Sequence, residues 1–314
     1  MGSNAPPQQL EPPRVGVTEA QVREMQTWLI DQGGKGFGGA FLVQEELYNQ
    51  VSPFQRIRVI VNADFGRMLI LDEAVQTSER DEYFYHEMLT HVPLCTHPDP
   101  RRILIIGGGD GGLLEEVLKH PVERVTMVEI DPAVVEVSRR YLPGISANAF
   151  DDPRTTLVFG DGARFVQETQ ERFDVVLVDS TDPKGPAVNL FAAEFYAAIA
   201  QRLTPQGILA VQSGSPLYQQ KVIRMVRQNM RTNFPIVRTY LSPVPTYPGG
   251  LWSFTLGTLH RDPLAVQEEE IKERMASVPT FYYTPSIHRE AFRIPAPIWA
   301  ELEDDARVPG EQGG

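Results

Sequence analysis

An α/β chain is what this sequence predicts, with a small antiparallel β-domain followed by a seven-stranded, mostly parallel sheet. Three observations predict it. Between Ala40 and Gln76 the runs FLVQEEL, QRIRVIV and GRMLILD are punctuated by Ser52-Pro53, Asn62 and Gly66, as short strands joined by turns are. Beyond residue 80, apolar strand runs alternate with helical segments, which argues βαβ units. The last two runs, Ile236–Leu241 and Trp252–Leu259, are joined by a Pro/Gly-rich loop rather than a helix, so they form an antiparallel pair.

Taken in order, residues 1–35 read as a flexible lead, rich in Pro and Gln at its start, that contains one short helix. That helix is predicted over Glu19–Ile30 from the spacing of Val22, Met25, Leu29 and Ile30. The glycine run Gly33–Gly39 marks a boundary, and residues 36–78 form the N-terminal β-sheet domain. A helix follows around Arg80–His91. The strands of the main domain, 79–302, are Ile103–Ile106, Val125–Glu129, Thr156–Phe159, Val175–Asp179, Ile208–Gln212 and the final pair. Asp131-Pro132 and Ser215-Pro216 each read as a helix start, a capping side chain before a first-turn proline. Residues 303–314 read as a flexible tail.

Composition narrows the partners. The 314 residues are 42% hydrophobic and 22% charged, with 29 Lys+Arg against 41 Asp+Glu, a net charge of −12. Nucleic acid and anionic membranes call for a basic face, so neither is expected. A cationic small molecule suits this charge. Cys95 is the only cysteine, which fits a reducing compartment, and the cytoplasm is the expected location. No stretch approaches the roughly 20 apolar residues of a membrane span, and the N-terminus lacks the apolar stretch of a secretory signal.

The strand Ile103–Ile106 runs straight into GGGDGG, Gly107–Gly112, and then a helix. Gly107, Gly109 and Gly112 satisfy G-x-G-x-x-G, and glycines let a ligand approach the backbone at a helix N-terminus. A pyrophosphate there would be repelled by Asp110, whereas an adenosyl ligand without phosphate would not. Glu129, ending the second strand, is placed for ribose hydroxyls. Asp161-Gly162, ending the third, either reads an adenine edge or caps the next helix. The fourth strand ends in Asp179-Ser180-Thr181-Asp182-Pro183, so Asp179 and Asp182 face the same crevice as Asp110 unless Asp182-Pro183 is only a turn. Converging carboxylates need cations or protons, which a diamine supplies. Gln76, Tyr85 and His86 cluster upstream, where packing alone also accounts for Tyr85 and His86. No spacing in the sequence marks a metal site, and no Ser-His-Asp pattern stands out. The fold expected is a Rossmann-like, nucleoside-binding sheet of the kind found in S-adenosylmethionine-dependent methyltransferases.

The words LDEAVQTSERDEYFYHEM, ILIIGGGDGG, MVEID, GDG, DVVLVDSTDPKGP and PTYPGG, in this order from about Leu47 to Gly250, resemble the spermidine synthase family of polyamine aminopropyltransferases. The resemblance implies transfer of an aminopropyl group from decarboxylated S-adenosylmethionine to putrescine, giving spermidine and methylthioadenosine. It implies no cofactor or metal, and a homodimer or homotetramer. By motif, Asp179 would be the catalytic base, and Ser180, Thr181 and Asp182 would help hold the amine. Asp110 would pair with the aminopropyl ammonium and Glu129 with the ribose. Asp161 and Gly162 would lie along the adenine, and Gln55 and Pro186 would also touch the nucleoside. Gln76, Tyr85, His86 and Tyr247 would line the amine channel. Val188-Asn189 stands where the family commonly has Glu-Ser, and Phe54 replaces a common tyrosine, so agmatine, cadaverine or a longer amine stay open as acceptors.

Chemistry alone supports such a reaction. A sulfonium is already a good leaving group, so the barrier lies in presenting a neutral amine in line with the carbon beside sulfur. An alkyl amine has a pKa of about 10 and arrives protonated, so a nearby carboxylate must take its proton. The rivals are a diamine N-methyltransferase using S-adenosylmethionine, a nicotinamide dehydrogenase and a non-catalytic polyamine-binding protein. Asp110 discriminates against the first, because it would repel methionine's carboxylate.

Overall fold

The apolar run that opens the glycine loop is an interior strand of a seven-stranded sheet. The computed structural model describes residues 27–34, 36–183 and 185–303, apart from the Pro186 side chain. Strands β1 (Thr27–Asp31) and β2 (Gly39–Val43) form an antiparallel hairpin. Strands β3 (Glu45–Val51), β4 (Arg56–Asn62), β5 (Gly66–Leu71) and β6 (Ala74–Ser78) form an antiparallel meander in that spatial order. The large sheet contains β7 (Arg102–Gly107), β8 (Arg124–Glu129), β9 (Thr155–Phe159), β10 (Phe173–Asp179), β11 (Leu203–Gly214), β12 (Ile236–Pro243) and β13 (Leu251–Thr258). Its order is β12-β13-β11-β10-β7-β8-β9, parallel except for β13, which runs antiparallel to both neighbours.

Helices cover both faces, which is why β7 and β10 are apolar at nearly every position. The helices are α1 (Glu82–Thr96), α2 (Gly112–Leu118), α3 (Pro132–Tyr141), α4 (Pro143–Ser146), α5 (Gly162–Glu168), α6 (Ala193–Arg202) and α7 (Gln220–Arg231). Ile103, Ile105, Val175 and Leu177 pack with Met88 and Leu89 of α1 and Leu113 and Leu114 of α2. Leu104, Ile106, Val176 and Val178, pointing the other way, pack with Val166 of α5, Phe195 and Ile199 of α6 and Val226 of α7. This alternation is the period-two rule of a strand buried on both sides. The meander docks on α3 and α4 through Ile57, Val59, Leu69 and Leu71 against Val134, Val137, Leu142 and Ile145. Each fully buried aliphatic side chain of this kind contributes about 1.5–3 kcal/mol.

Helix α1 is anchored from far along the chain. The buried Glu87 carboxylate accepts the backbone N–H groups of Phe281, Tyr282 and Tyr283 at 2.6, 2.9 and 2.6 Å. No helix among the described residues is long and apolar enough to cross a membrane.

Four local expectations are corrected. The helix expected over Glu19–Ile30 gives way to a strand over its last residues, Thr27–Ile30, while Glu19–Gln26 lie outside the described residues. Leu29 and Asp31 are buried while Trp28 and Ile30 are exposed, a period of two rather than 3.6, and the pairing Thr27↔Val43 to Asp31↔Gly39 holds it. The boundary expected at residues 35/36 therefore falls inside a hairpin. The run FLVQEEL also divides at Gln44 between β2 and β3, which belong to different sheets. Finally, Ser215-Pro216 opens a turn, and α7 starts only at Gln220. The Gln219 side chain explains this by accepting Ser215 N–H at 2.7 Å, while Gly214 takes a φ of +92° that side chains disfavour.

Candidate active site

In an open parallel sheet the ligand crevice lies beyond the strand carboxyl ends, where strand order reverses. Here that point lies between β7 and β10, whose last residues, Gly107 and Asp179, pair in register. Gly107 has φ +83°, and a Cβ there would stand 2.0 Å from the Asp179 carbonyl oxygen. Only glycine lets the loop fold over the end of β10, where Gly108 N–H donates to that carbonyl at 3.0 Å. The fold thereby brings Asp110 beside Asp179.

The two acids sit side by side, each with its own partners. Tyr85, on α1, donates its hydroxyl to Asp179 Oδ1 at 2.6 Å. Asp110 Oδ1 accepts Gly112 N–H at 2.9 Å, and Asp110 Oδ2 lies 3.5 Å from His86 Nε2. His86 Nδ1 faces Glu82 Oε2 at 2.7 Å, one turn back along α1. Donor atoms of His86, Asp110 and Asp179 lie within 4.8 Å of one another, a cluster that suits a cation.

Electrostatics divides the two carboxylates. Burial and then the charge of Asp110 push the Asp179 carboxyl up to about 6, against the pull of His86 and the Tyr85 hydrogen bond. Burial also works to raise Asp110, but the charge and hydrogen bond of His86, with Gly112 N–H, hold it below its ordinary range. Burial works to lower His86, yet Asp110 and Glu82 outweigh it and hold the imidazole well above its ordinary value. Glu129, its Oε1 accepting Asp131 N–H at 2.9 Å, is pushed up to about 7, mainly by burial. A pair of neighbouring acids with pKa values driven apart is how a site provides a base and a fixed anion together.

A cavity of about 750 Å³ opens in front of these groups. Its lining includes Gln55, Gly107, Gly109, Asp110, Glu129, Asp161 and Gly162. Gln76, Tyr85, His86, Asp179, Ser180, Thr181, Asp182 and Tyr247 line the same cavity. The Pro186 side chain and Lys184 lie outside the described residues. Asp161 does cap α5, accepting Ala163 N–H and Arg164 N–H, while also lining the cavity. Gln55 Nε2 donates to Asp131 Oδ2 at 3.1 Å, and Gln219 Nε2 donates to Asp182 Oδ2 at 2.7 Å. Tyr247 donates its hydroxyl to the Gln76 carbonyl at 2.5 Å, its ring edge-on to Tyr85.

Other cavity residues escaped the sequence reading: Asp31 on β1, Gln212, Gln219 and Trp252. Gln212 carried a usable signal, a polar residue ending an apolar parallel strand, as Asp179 does. Its Nε2 donates to the Ser180 carbonyl at 2.9 Å and so braces the loop after β10. Ser180 Oγ and Trp252 Nε1 are buried with no hydrogen-bond partner.

Residues 82–267 match the spermine/spermidine synthase domain, and residues 27–79 match the spermidine synthase tetramerisation domain. A polyamine aminopropyltransferase of Desulforudis audaxviator is 48% identical over 272 residues, covering 86% of this chain and 97% of the relative. One from Caldicellulosiruptor saccharolyticus is 44% identical over 283 residues, covering 90% of this chain and 100% of the relative. Among solved structures, a spermidine synthase in complex with the transition state analogue AdoDATO superposes with a TM-score of 0.85 at 35% identity, covering 94% of this chain and 98% of that one. Spermidine synthase from Thermotoga maritima superposes with a TM-score of 0.84 at 37% identity, covering 88% of this chain and 94% of that one.

Proposed function

Because this chain belongs to the spermine/spermidine synthase family and is an aminopropyl-transferring enzyme, we propose that it moves the aminopropyl group of decarboxylated S-adenosylmethionine to putrescine. The products are spermidine and methylthioadenosine, and Asp179 is the general base. The observation that carries this reading is the junction at Asp179. A carboxylate whose Oδ1 is committed to Tyr85, and whose pKa is lifted to about 6, faces a cavity walled by acids. Such a base is ionised at neutral pH yet basic enough to accept a proton as the amine attacks.

The family motifs supply the roles, and the lining of the cavity supports them. Glu129 and Gln55 receive the nucleoside beside the glycine loop, with Asp161 and Gly162 along the base; Pro186 is assigned there by its motif alone. Asp110 holds the aminopropyl ammonium, which directs the carbon next to sulfur toward Asp179. Gln76, Tyr85, His86 and Tyr247 shape the amine channel, and Ser180, Thr181 and Asp182 hold the attacking end. The match to a tetramerisation domain supports a homo-oligomer, and Trp28 and Ile30 on the outer face of β1 offer it apolar surface. A cytoplasmic site of action is supported by the single, buried Cys95.

The direct experiment is mass spectrometry of products formed from decarboxylated S-adenosylmethionine with equal amounts of putrescine, agmatine, cadaverine and spermidine. Spermidine and methylthioadenosine in equal yield are expected as the main products. Preferred use of another amine would overturn putrescine as the acceptor, and a methyl rather than an aminopropyl increment would overturn the reaction.

The pH dependence has a definite sign. Asp179 must be ionised to act, and its pKa is raised, so activity is present above about 6 and lost below it. The profile of kcat/KM for the amine should therefore carry an acid limb near pH 6. An acid limb near pH 4, the ordinary carboxylate range, would show that burial does not tune this base.

A further inference from the structure

Asp110 already has a basic neighbour. Its Oδ2 faces His86 Nε2 at 3.5 Å, and its Oδ1 accepts Gly112 N–H. An ammonium arriving at Asp110 Oδ2 is therefore brought within a few ångströms of the imidazole. Resting on the reading that Asp110 receives the aminopropyl ammonium, we propose that His86 is a placeholder cation. When the cosubstrate's ammonium reaches Asp110, the imidazolium gives its Nδ1 proton to Glu82 and through it to solvent, so that the cosubstrate binds with release of a proton.

The seat of His86 is built for this exchange. A Cβ on Gly112 would stand 2.3 Å from both Nδ1 and Cε1 of the ring, so the first residue of α2 must be glycine for the imidazole to lie there. His86 is buried and meets the cavity. Glu82 is not among the residues that line the cavity, and its side chain is 18% exposed, so it offers Nδ1 a route out that a bound ligand does not block. The charged and titratable groups around the pair are Asp110 on the glycine loop, Asp179 on β10 and Tyr85 on α1. Glu115 and Glu116 on α2 join them, both paired with Lys119. Most are acids, so the resting imidazole is held charged. A second cation placed at Asp110 removes that support, because like charges a few ångströms apart in a dry cleft cannot both persist cheaply. The exchange balances: one ammonium enters, one proton leaves, and the net charge around Asp110 is unchanged.

The test is isothermal titration of the full-length protein near pH 7 in buffers of differing ionisation enthalpy. Decarboxylated S-adenosylmethionine should bind with release of about one proton, so its affinity should rise about tenfold per pH unit while His86 is charged in the free protein. Methylthioadenosine, which lacks the ammonium, should release only what Glu129 gives up to the ribose, an amount common to both ligands, so the excess seen with the cosubstrate is the reading and needs no variant. His86→Gln should lose that excess, and Glu82→Gln should reduce it. Binding of the cosubstrate to the unmodified protein with no proton release would overturn the placeholder while leaving the aminopropyl reading intact. Equal release with methylthioadenosine, or an excess that is undiminished in His86→Gln, would also overturn it. Failure of the cosubstrate to bind at all would remove the reading beneath it as well.

Discussion

Asp179→Asn should lower turnover by about 10²–10⁴-fold, the usual contribution of a positioned base. The substitution keeps the size of the side chain, and its amide oxygen can still accept the Tyr85 hydroxyl that Asp179 Oδ1 accepts at 2.6 Å. It cannot take a proton. Cosubstrate affinity should change far less, because Asp110 and Glu129 are untouched. Steady-state kinetics beside calorimetric binding separates the two effects. Turnover within a few-fold of normal would mean that the base is elsewhere, with Asp182 the next candidate on the same loop.

A second large effect concerns which nucleoside is accepted. The decarboxylated cosubstrate ends in an ammonium, and S-adenosylmethionine adds a carboxylate on that same carbon. A buried, ionised Asp110 attracts the first and repels the second. Hydrogen bonds to charged groups contribute about 1.5–3 kcal/mol, so the unmodified protein should prefer the decarboxylated form by roughly 10² or more. Asp110→Asn keeps an oxygen for Gly112 N–H, which donates to Asp110 Oδ1 at 2.9 Å, but removes the charge. The preference should then collapse, mainly through weaker binding of the decarboxylated form. Titration of both nucleosides against both proteins measures it. Equal affinity of the unmodified protein for the two forms would favour methyl transfer over aminopropyl transfer.

Much of this site is legible in the sequence because parallel strands announce themselves. Ile103–Ile106 and Val175–Val178 are apolar throughout, since helices cover both faces, and each is followed at once by Gly or Asp. A polar residue at the carboxyl end of such a strand has one place to go, the crevice, which is why Asp110, Glu129 and Asp179 line one cavity. Contacts made across sequence distance are less readable. Trp28, Leu29 and Ile30 are a continuous apolar run that suits a helix or a strand, and only the partner Gly39–Val43 decides between them. Asp31 and Trp252 reach the cavity through tertiary packing that no local pattern carries. His86 reads as an ordinary histidine until Gly112 and Asp110 are seen around it.

The anchoring of α1 bears on when the enzyme can first work. Glu87 follows His86 directly, and its three N–H donors come from residues 194 to 196 positions further along the chain. Tyr240 and Ser242 add hydrogen bonds to the Met88 and Phe84 carbonyls from strand β12. On the ribosome, α1 and the first four strands of the large sheet emerge long before any of these partners. Until then the Glu87 carboxylate lacks its three N–H partners, and the helix bearing Tyr85 and His86 is seated only by its packing on β7, β10 and α2. Closing loops of that length is slow compared with forming local helices and turns. Vectorial synthesis thus makes the final anchoring of the catalytic helix one of the late folding events.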